Sequence, residues 1–189
     1  MGHPAGKKEQ GQIKIMESAG RGFRAKGFAG LGVDELARGA GMTSGAFYAH
    51  FSSKAEAFRR SVEVGLCRLA EGIQAIRKKE GKNWPDAFAE LYVTDLRTCD
   101  LQESCALQSL TGDVFRADER TKAVFARGLE DVLIEAVGNE GDPDCRENII
   151  ALLALLSGGV SMARAVDNEE LAAEIAEAVR SAAKKIHHM

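Results

Sequence analysis

The sequence predicts an all-α protein. Only three prolines occur in 189 residues, and Ala, Leu, Glu, Arg and Lys dominate the segments in which apolar residues recur at helical spacing. No segment shows a convincing strand pattern. A hydrophobic content of 45% with 28% charged residues is typical of a soluble globular protein of one or two domains.

The first two predicted helices are short amphipathic segments. The first runs from about Gly11 to Lys26 and carries one apolar face, made of Ile15, Ala19 and Phe23. Gly27 ends it, because glycine tolerates the left-handed conformation that often closes a helix. The second helix carries its apolar face on Val33, Leu36, Ala37 and Ala40.

The segment from Gly41 to Lys54 predicts a turn, a short helix and the start of another helix. Gly41 can take the positive φ of a sharp turn, and Thr43 can cap the next helix by accepting an amide hydrogen bond. Phe47 and Phe51 are expected to face the core. The remaining side chains are expected to point outward: Thr43, Ser44, Gly45, Ala46, Tyr48, Ala49 and His50. This is helix-turn-helix geometry, in which the second helix enters the major groove of DNA.

The pattern after residue 52 predicts a larger helical domain. A long helix starts at Ser53, where Ser53 to Glu56 form a capping-box pattern, and ends at basic Arg77 to Lys79. A further helix opens at Trp84-Pro85 and continues through Leu96. Two segments follow, from about Glu103 to Arg116 and from Asp118 to Val137, before a break at residues 138–141. We place the domain boundary between residues 52 and 53, with an arm and helix-turn-helix domain over 1–52 and a larger helical domain over 53–189.

The last two predicted helices have a different character. Asp142 is expected to cap the first, which has Pro143 at its first position and is almost wholly apolar from Ile149 to Ala165. Ser157 to Gly159 would allow another helix to approach closely. The final helix, Glu169 to Ile186, carries a narrow apolar stripe. The pair either closes the core of the subunit or forms an interface between subunits.

Charge and composition bound the classes of function. The first 60 residues hold ten Lys and Arg against five Asp and Glu, and the remainder holds 15 against 23. One end is therefore suited to a polyanion such as DNA. The chain has no apolar leader and no apolar run long enough to cross a bilayer, so a cytoplasmic location without membrane partners is expected. The spacing of the four cysteines and four histidines indicates neither a disulfide framework nor a metal site, and no catalytic or cofactor motif is present.

The N-terminal third resembles the TetR family of bacterial transcriptional regulators. The resemblance is carried by Phe28, Val33 to Ala37, Ala40 to Thr43 and Phe47 to Lys54. It implies phosphate contacts from Thr43, Tyr48, His50 and Lys54. It also implies that base edges are faced by Ser44, Gly45, Ala46 and Ala49. Gly32 departs from the family pattern, in which Thr or Ser caps the helix and contacts a phosphate. From the residues alone, Tyr48 and His50 could instead form a helix surface packed on the long helix.

The resemblance also implies a homodimer that binds operator DNA and is released by a small effector. It places the dimer-forming bundle on the last two helices, with candidate interface residues Leu152, Leu156, Leu171, Ile175, Val179, Ala182 and Ile186. A cavity is expected among the long helix, the Trp84 helix, the Glu103 segment and the Ile149 helix. Its candidate lining residues are Trp84, Phe88, Tyr92, Cys105, Phe115 and Met162. Their apolar character favours a hydrophobic or aromatic effector, although aromatic residues at helical spacing also serve as ordinary core.

Cys105 supports an alternative from another class of receptor. Leu101 to Leu107 resembles a Gly-Cys segment in a subgroup of the family, some of whose members sense oxidants or electrophiles, with Ser104 in place of glycine. A thiol near a helix N-terminus gains thiolate stability, whereas Asp100 and Glu103 oppose it. The competing interpretation is a buried packing cysteine. A helical enzyme is a third possibility without a catalytic constellation. In every regulator version, only the Ser53 helix is expected to contact both domains.

Overall fold

The computed structural model describes residues 4–138 and 143–187, with side chains for 11–138 and 145–186. Within those residues the chain forms helices and short 3-10 turns and no strand, so the all-α prediction is confirmed. The helices are α1 Pro4–Lys26, α2 Val33–Gly39, α3 Ser44–Tyr48, α4 Lys54–Glu80, α5 Trp84–Val93, α6 Asp95–Thr98, α7 Ala106–Phe115, α8 Glu119–Val137, α9 Pro143–Ala165 and α10 Glu169–His187. The 3-10 turns are Gly81–Asn83 and Leu101–Glu103.

Helices α1 to α3 form a three-helix head around a small aromatic core. Ile15, Phe23 and Phe47 have no exposed surface, and Gly27 ends α1 with φ of 70°. α1 begins seven residues earlier than the pattern predicted. The rings of Phe23 and Phe58 pack across the predicted boundary between residues 52 and 53, with centroids 5.2 Å apart. Packing therefore does not separate two domains at this point, and the boundary remains a prediction.

Helix α4 connects the head to the bundle. Its 27 residues span about 40 Å at the usual rise per residue. The Ser53 hydroxyl caps it by accepting from the Glu56 amide at 3.1 Å. The predicted capping box is only half present, because the Glu56 carboxylate returns to the backbone N–H of Ser52 at 2.7 Å and to its hydroxyl, and not to Ser53. The hydrogen bonds of Ser53 and Ser52 with Glu56 still fix the start of α4.

The helix that opens at Trp84 is shorter than the sequence pattern predicted. It ends at Val93, because Thr94 leaves helical geometry with ψ of −80°, and Leu96 belongs to the separate helix α6. The end of α6 is held by a distant side chain. The Arg164 guanidinium of α9 donates to the carbonyl oxygens of Leu96 at 2.6 Å and Cys99 at 2.7 Å. Tertiary contact, and not local propensity, sets this break.

Helices α9 and α10 pack closely against each other. A Cβ added to Gly159 would overlap the side chain of Val179, so the glycine is what permits the approach. Pro143 opens α9 as predicted, whereas the predicted Asp142 cap and most of the 138–141 break lie outside the described residues. By length and composition, the segment from Cys145 to Ala165 is the one candidate membrane span found in the described chain. Its buried side, 39% of the most apolar window, packs in the bundle.

The other side of α9 remains exposed beside an exposed strip of α10. Met162 is 60% exposed and Leu171 43% exposed, although both are apolar. We name this surface the α9–α10 face; its members are Ala151, Ala154, Leu155, Gly158, Met162, Leu171, Ile175, Ala178 and Ala182. Their spacing of three, four and seven residues puts them on one side of each helix.

Candidate nucleic-acid interface and effector region

The turn between α2 and α3 has the geometry that the sequence predicted. Gly41 has φ of 69°, and the Met42 amide donates to the Ala37 carbonyl at 2.9 Å across the turn. The Thr43 hydroxyl accepts from the Ala46 amide at 3.3 Å and so caps α3. Because a hydroxyl is both donor and acceptor, its proton stays available for a phosphate oxygen.

Helix α3 presents one face to the core and the other to solvent. Phe47 and Phe51 are buried, as predicted. Of the seven candidate DNA-facing residues from Thr43 to His50, four are exposed and three are half-buried. The exposed ones are Thr43, Gly45, Tyr48 and Ala49, and the half-buried ones are Ser44, Ala46 and His50.

Tyr48 and Ser44 differ in how free their hydroxyl groups are. Tyr48 is 57% exposed, and its ring packs edge-to-face with that of Phe47, with centroids 5.5 Å apart. The Ser44 hydroxyl instead donates to the Asp34 carboxylate of α2. A base contact from Ser44 therefore requires exchange of its present partner, whereas Tyr48 is free to reach a phosphate.

Lys54 stands at the first turn of α4 beside the head. Its Nζ lies 4.4 Å from the centroid of the Phe28 ring, a cation–π contact. Gly32, the residue that departs from the family pattern, precedes α2 without a side-chain cap, and a Cβ there would meet no atom within 4 Å. The site therefore has room for the missing Ser or Thr.

The basic charge of the head is only partly available to DNA. The Arg21 guanidinium pairs with Glu103, an acid of the C-terminal part. The Arg59 guanidinium, at the start of α4, lies 3.9 Å from Asp118. Lys26 pairs with Glu35 inside the head. The opposite charges of the two halves thus also hold the halves together.

Comparisons with known proteins agree with this geometry. Residues 15–60, which cover the head and the start of α4, match the family described as bacterial regulatory proteins, tetR family. A 71-residue segment is 35% identical to the uncharacterized HTH-type transcriptional regulator YfiR of Bacillus subtilis (strain 168). Residues 15–60 therefore match the N-terminal region of tetR-family regulators. The match covers 38% of this chain and about a third, 33%, of that relative.

Two solved structures share the fold of this chain over nearly its whole length. NemR from E. coli, in its reduced form, superposes with a TM-score of 0.76 at 18% identity, covering 93% of this chain and 96% of that one. The Bacillus subtilis regulator FadR in complex with stearoyl-CoA has a TM-score of 0.64 at 14% identity, with coverage of 89% and 97%. At these identities the likeness shows the fold.

The predicted effector residues divide into an interior group and an exposed group. Trp84, Phe88 and Tyr92 are buried along α5, with successive ring centroids 6.1 and 5.3 Å apart. Phe115 is 77% exposed and Met162 60% exposed. The structure does not place these two in an interior cavity, because the ends of α7 and α9 turn them toward solvent.

Tyr92 and Cys105 lie next to each other in the helical bundle, and Cys105 is half-buried. The Tyr92 side chain is completely buried, and its hydroxyl faces the Cys105 sulfur without forming a regular hydrogen bond within the described residues. Burial raises the pKa of Tyr92 well above its usual value. It also raises the pKa of the Cys105 thiol, against the opposing effects of Tyr92 and the amides that open α7. Both groups are therefore protonated at neutral pH.

Sequence reasoning missed one polar group of this region. The Gln108 Oε1 atom is buried and has no hydrogen-bond partner among the described residues. Because an isolated buried polar atom is destabilising, such atoms mark places where a water or ligand group fits. Gln108 is one of several polar residues of α7, together with Ser109 and Thr111, so its place in the sequence carries no signal of burial.

Part of the predicted dimer interface lies inside the subunit. Leu152, Leu156 and Val179 are buried by the chain's own helices. These three residues belong to the core of the subunit and not to the predicted interface. The apolar stripe on one helix does not reveal which neighbouring helix covers it. Leu171 is exposed and Ile175, Ala182 and Ile186 are half-buried, so the exposed part of the stripe stays available.

Proposed function

We propose that this chain is a sequence-specific DNA-binding transcriptional regulator of the TetR family, a repressor released by a small and largely apolar effector. The observation that carries the proposal is the preformed element of α2, turn and α3, with a solvent-facing surface on α3. Thr43 caps α3, and Ser53 caps the following helix α4. An element of this shape places α3 in the major groove. The comparison with HTH-type regulators supports the same activity.

In the proposed complex the contacts have different tasks. Thr43, Tyr48, His50 and Lys54 contact phosphates, and the positive end of the α4 dipole adds to the charge of Lys54. The base edges face Ser44, Gly45, Ala46 and Ala49. None of these residues can form the bidentate hydrogen bonds that Arg or Gln makes with a base. Recognition of the DNA sequence therefore relies on methyl contacts, one hydroxyl, water and DNA shape.

The proposed functional unit is a two-fold dimer formed through the α9–α10 face. A contiguous apolar surface beside a packed helix pair is suited to a second copy of itself. Two heads held in this way would read half-sites about 34–36 Å apart in the simplest geometry. As a cytoplasmic DNA-binding dimer, the chain would bury the apolar side of α9 without any membrane.

The proposed effector site is the aromatic interior along α5. The buried Tyr92 hydroxyl supplies one polar atom in apolar surroundings. That combination fits a hydrophobic molecule with one polar group. The FadR complex with stearoyl-CoA supports the capacity of the fold for an apolar ligand. Release requires that the effector bind the low-affinity conformation more tightly, so effector and operator affinities are reciprocally linked.

Selection of bound sequences from random DNA tests the proposal directly. We expect a pseudo-palindromic motif, and compounds chosen from the products of neighbouring genes are then screened for its release. Enrichment of no sequence above random DNA would overturn the regulator function. Detectable turnover of a bound compound would favour an enzyme.

Tyr48 and Lys54 are expected to contribute affinity without sequence preference. The double variant Tyr48→Phe, Lys54→Ala should bind all DNA sequences more weakly and to the same extent. The plot of log affinity against log salt concentration should become less steep by the amount expected for about one phosphate contact. Fluorescence anisotropy over a salt series measures both. Lys54→Arg is the matched control, because it keeps the charge and the contact with Phe28. Unaltered affinity of the double variant at physiological salt would contradict the docking.

The thiol-switch alternative is tested at Cys105. Because burial raises its thiol pKa, the thiolate fraction is low at neutral pH and rises with pH above the usual thiol range. Desolvation and the Glu71 carboxylate raise the pKa of Cys67 as well, but its thiol is exposed. We therefore expect a thiol probe to modify Cys67 before Cys105 at pH 7.5, as mapped by mass spectrometry. Two results together would favour a thiol receptor over an effector pocket. Cys105 would be modified faster than Cys67, and oxidants would release the DNA from the wild-type protein but not from Cys105→Ser.

A further inference from the structure

The C-terminal end of α7 holds the turn that leads from α1 to α2. The Asp113 Oδ2 atom accepts a hydrogen bond from the Phe28 backbone N–H at 2.8 Å, across 85 residues of sequence. Gly27, just before it, has φ of 70°, and a Cβ there would stand 3.0 Å from the same carboxylate oxygen. The turn and the carboxylate therefore fit each other closely.

The segment before α7 also holds the head, at a second point. The Arg24 Nε atom donates to the Gln102 carbonyl at 2.7 Å, and the Arg21 guanidinium pairs with Glu103. Both arginines belong to α1. The segment from Leu101 to Phe115 thus contacts the head at its beginning and near its end, so it resists rotation as well as separation.

The same segment is fixed on the bundle side. A Cβ added to Gly65 of α4 would overlap the Cβ of Ala106, the first residue of α7. Cys105, which faces the Tyr92 hydroxyl, immediately precedes it. α7 therefore joins the interior of the bundle to the head independently of the chain connection through α4. The expectation that α4 alone contacts both domains is wrong.

Phe28 extends this connection to the DNA-facing surface. Its ring packs on Phe23 and Phe58 with centroids 6.2 and 5.2 Å away, and the Lys54 ammonium lies over it. A shift of Asp113 would displace the backbone on which this ring is carried. The chain of contacts leads from Tyr92 and Cys105 through α7 to Phe28 and Lys54.

We propose that Asp113 is a positioning residue for DNA binding, which clamps the head to α7 and fixes the direction in which α3 is presented. The proposal rests on the proposed function of DNA binding. It adds that effector binding near Tyr92 acts on the head through α7 as well as through α4. A carboxylate suits the task, because a charged acceptor strengthens a hydrogen bond to a backbone amide.

The test compares Asp113→Ala with Asp113→Asn in the full-length protein. Asparagine keeps a carbonyl acceptor for the Phe28 amide, whereas alanine removes it. Without DNA, hydrogen–deuterium exchange of residues 24–32 should accelerate in the alanine variant, while exchange in α5 and α9 stays unchanged. With selected operator DNA, we expect about tenfold weaker binding for alanine, from one lost hydrogen bond in each of two subunits, and close to wild-type binding for asparagine.

Two results would overturn the clamp. Unchanged exchange of residues 24–32 in Asp113→Ala would show that the hydrogen bond does not hold the head. Faster exchange with wild-type operator affinity would show that head attachment has no part in DNA binding. Failure of operator selection would instead remove the proposed function, while the exchange comparison still decides whether Asp113 holds the turn. Glu103→Ala is a second variant, which removes the exposed ion pair with Arg21 and leaves the core unchanged. It should show a smaller increase in the exchange of residues 24–32 and a smaller loss of operator affinity than Asp113→Ala.

Discussion

Met162→Glu is expected to convert the protein to monomers and to reduce operator affinity by at least about a hundredfold. Met162 is 60% exposed in the subunit, so its replacement leaves the core intact. On the α9–α10 face of a dimer, the same carboxylate would be buried near its two-fold mate at a cost of several kcal/mol per ion. A monomer then binds one half-site without the effective concentration that links two heads.

Light scattering and anisotropy with operator DNA measure the two effects of Met162→Glu. Ile134→Glu is the matched control, because Ile134 is a 56% exposed apolar residue on α8, outside the α9–α10 face. We expect that variant to remain dimeric. A soluble, stable dimer of Met162→Glu would move the interface elsewhere. Val179 cannot report on the interface, because it packs against Gly159 within one subunit.

Gly65→Ala is expected to destabilise the protein, whereas Gly72→Ala on the same helix is expected to stabilise it. The new Cβ at position 65 would overlap Ala106, and overpacking of this kind costs about 1–3 kcal/mol. A Cβ at position 72 meets no atom within 4 Å, and alanine in place of an exposed helical glycine contributes about 1 kcal/mol. The two variants gain the same helix propensity, so their difference isolates the contact with α7.

Thermal unfolding followed by circular dichroism measures this pair. For a chain of this size, 1 kcal/mol shifts Tm by about 2–4 °C, so the two variants should differ by at least several degrees. Equal stabilisation by both alanines would show that α7 does not lie against Gly65. Because the overlap pushes on the start of α7, Gly65→Ala should also speed hydrogen exchange of residues 24–32 if the Asp113 clamp is intact.

The sequence by itself determined the features that depend on a few neighbouring residues. Thr43 and Ser53 cap their helices as predicted, because a cap needs only a hydroxyl and an amide three residues later. Gly27 and Gly41 take positive φ for the equally local reason that they lack a Cβ. The helix-turn-helix surface follows from these signals, so the residues of α3 that face solvent could be named from their order alone.

Tertiary structure alone decided which side of each amphipathic stripe is covered, and by what. Val179 and Leu171 share a stripe on α10, yet the first is buried by α9 and the second is exposed. Phe115 has the composition of a pocket residue but lies at the solvent end of α7. The bond from Phe28 to Asp113 joins residues 85 positions apart, and no local pattern encodes it. Spacing specifies a face of a helix, whereas the partner of that face depends on how distant helices pack together.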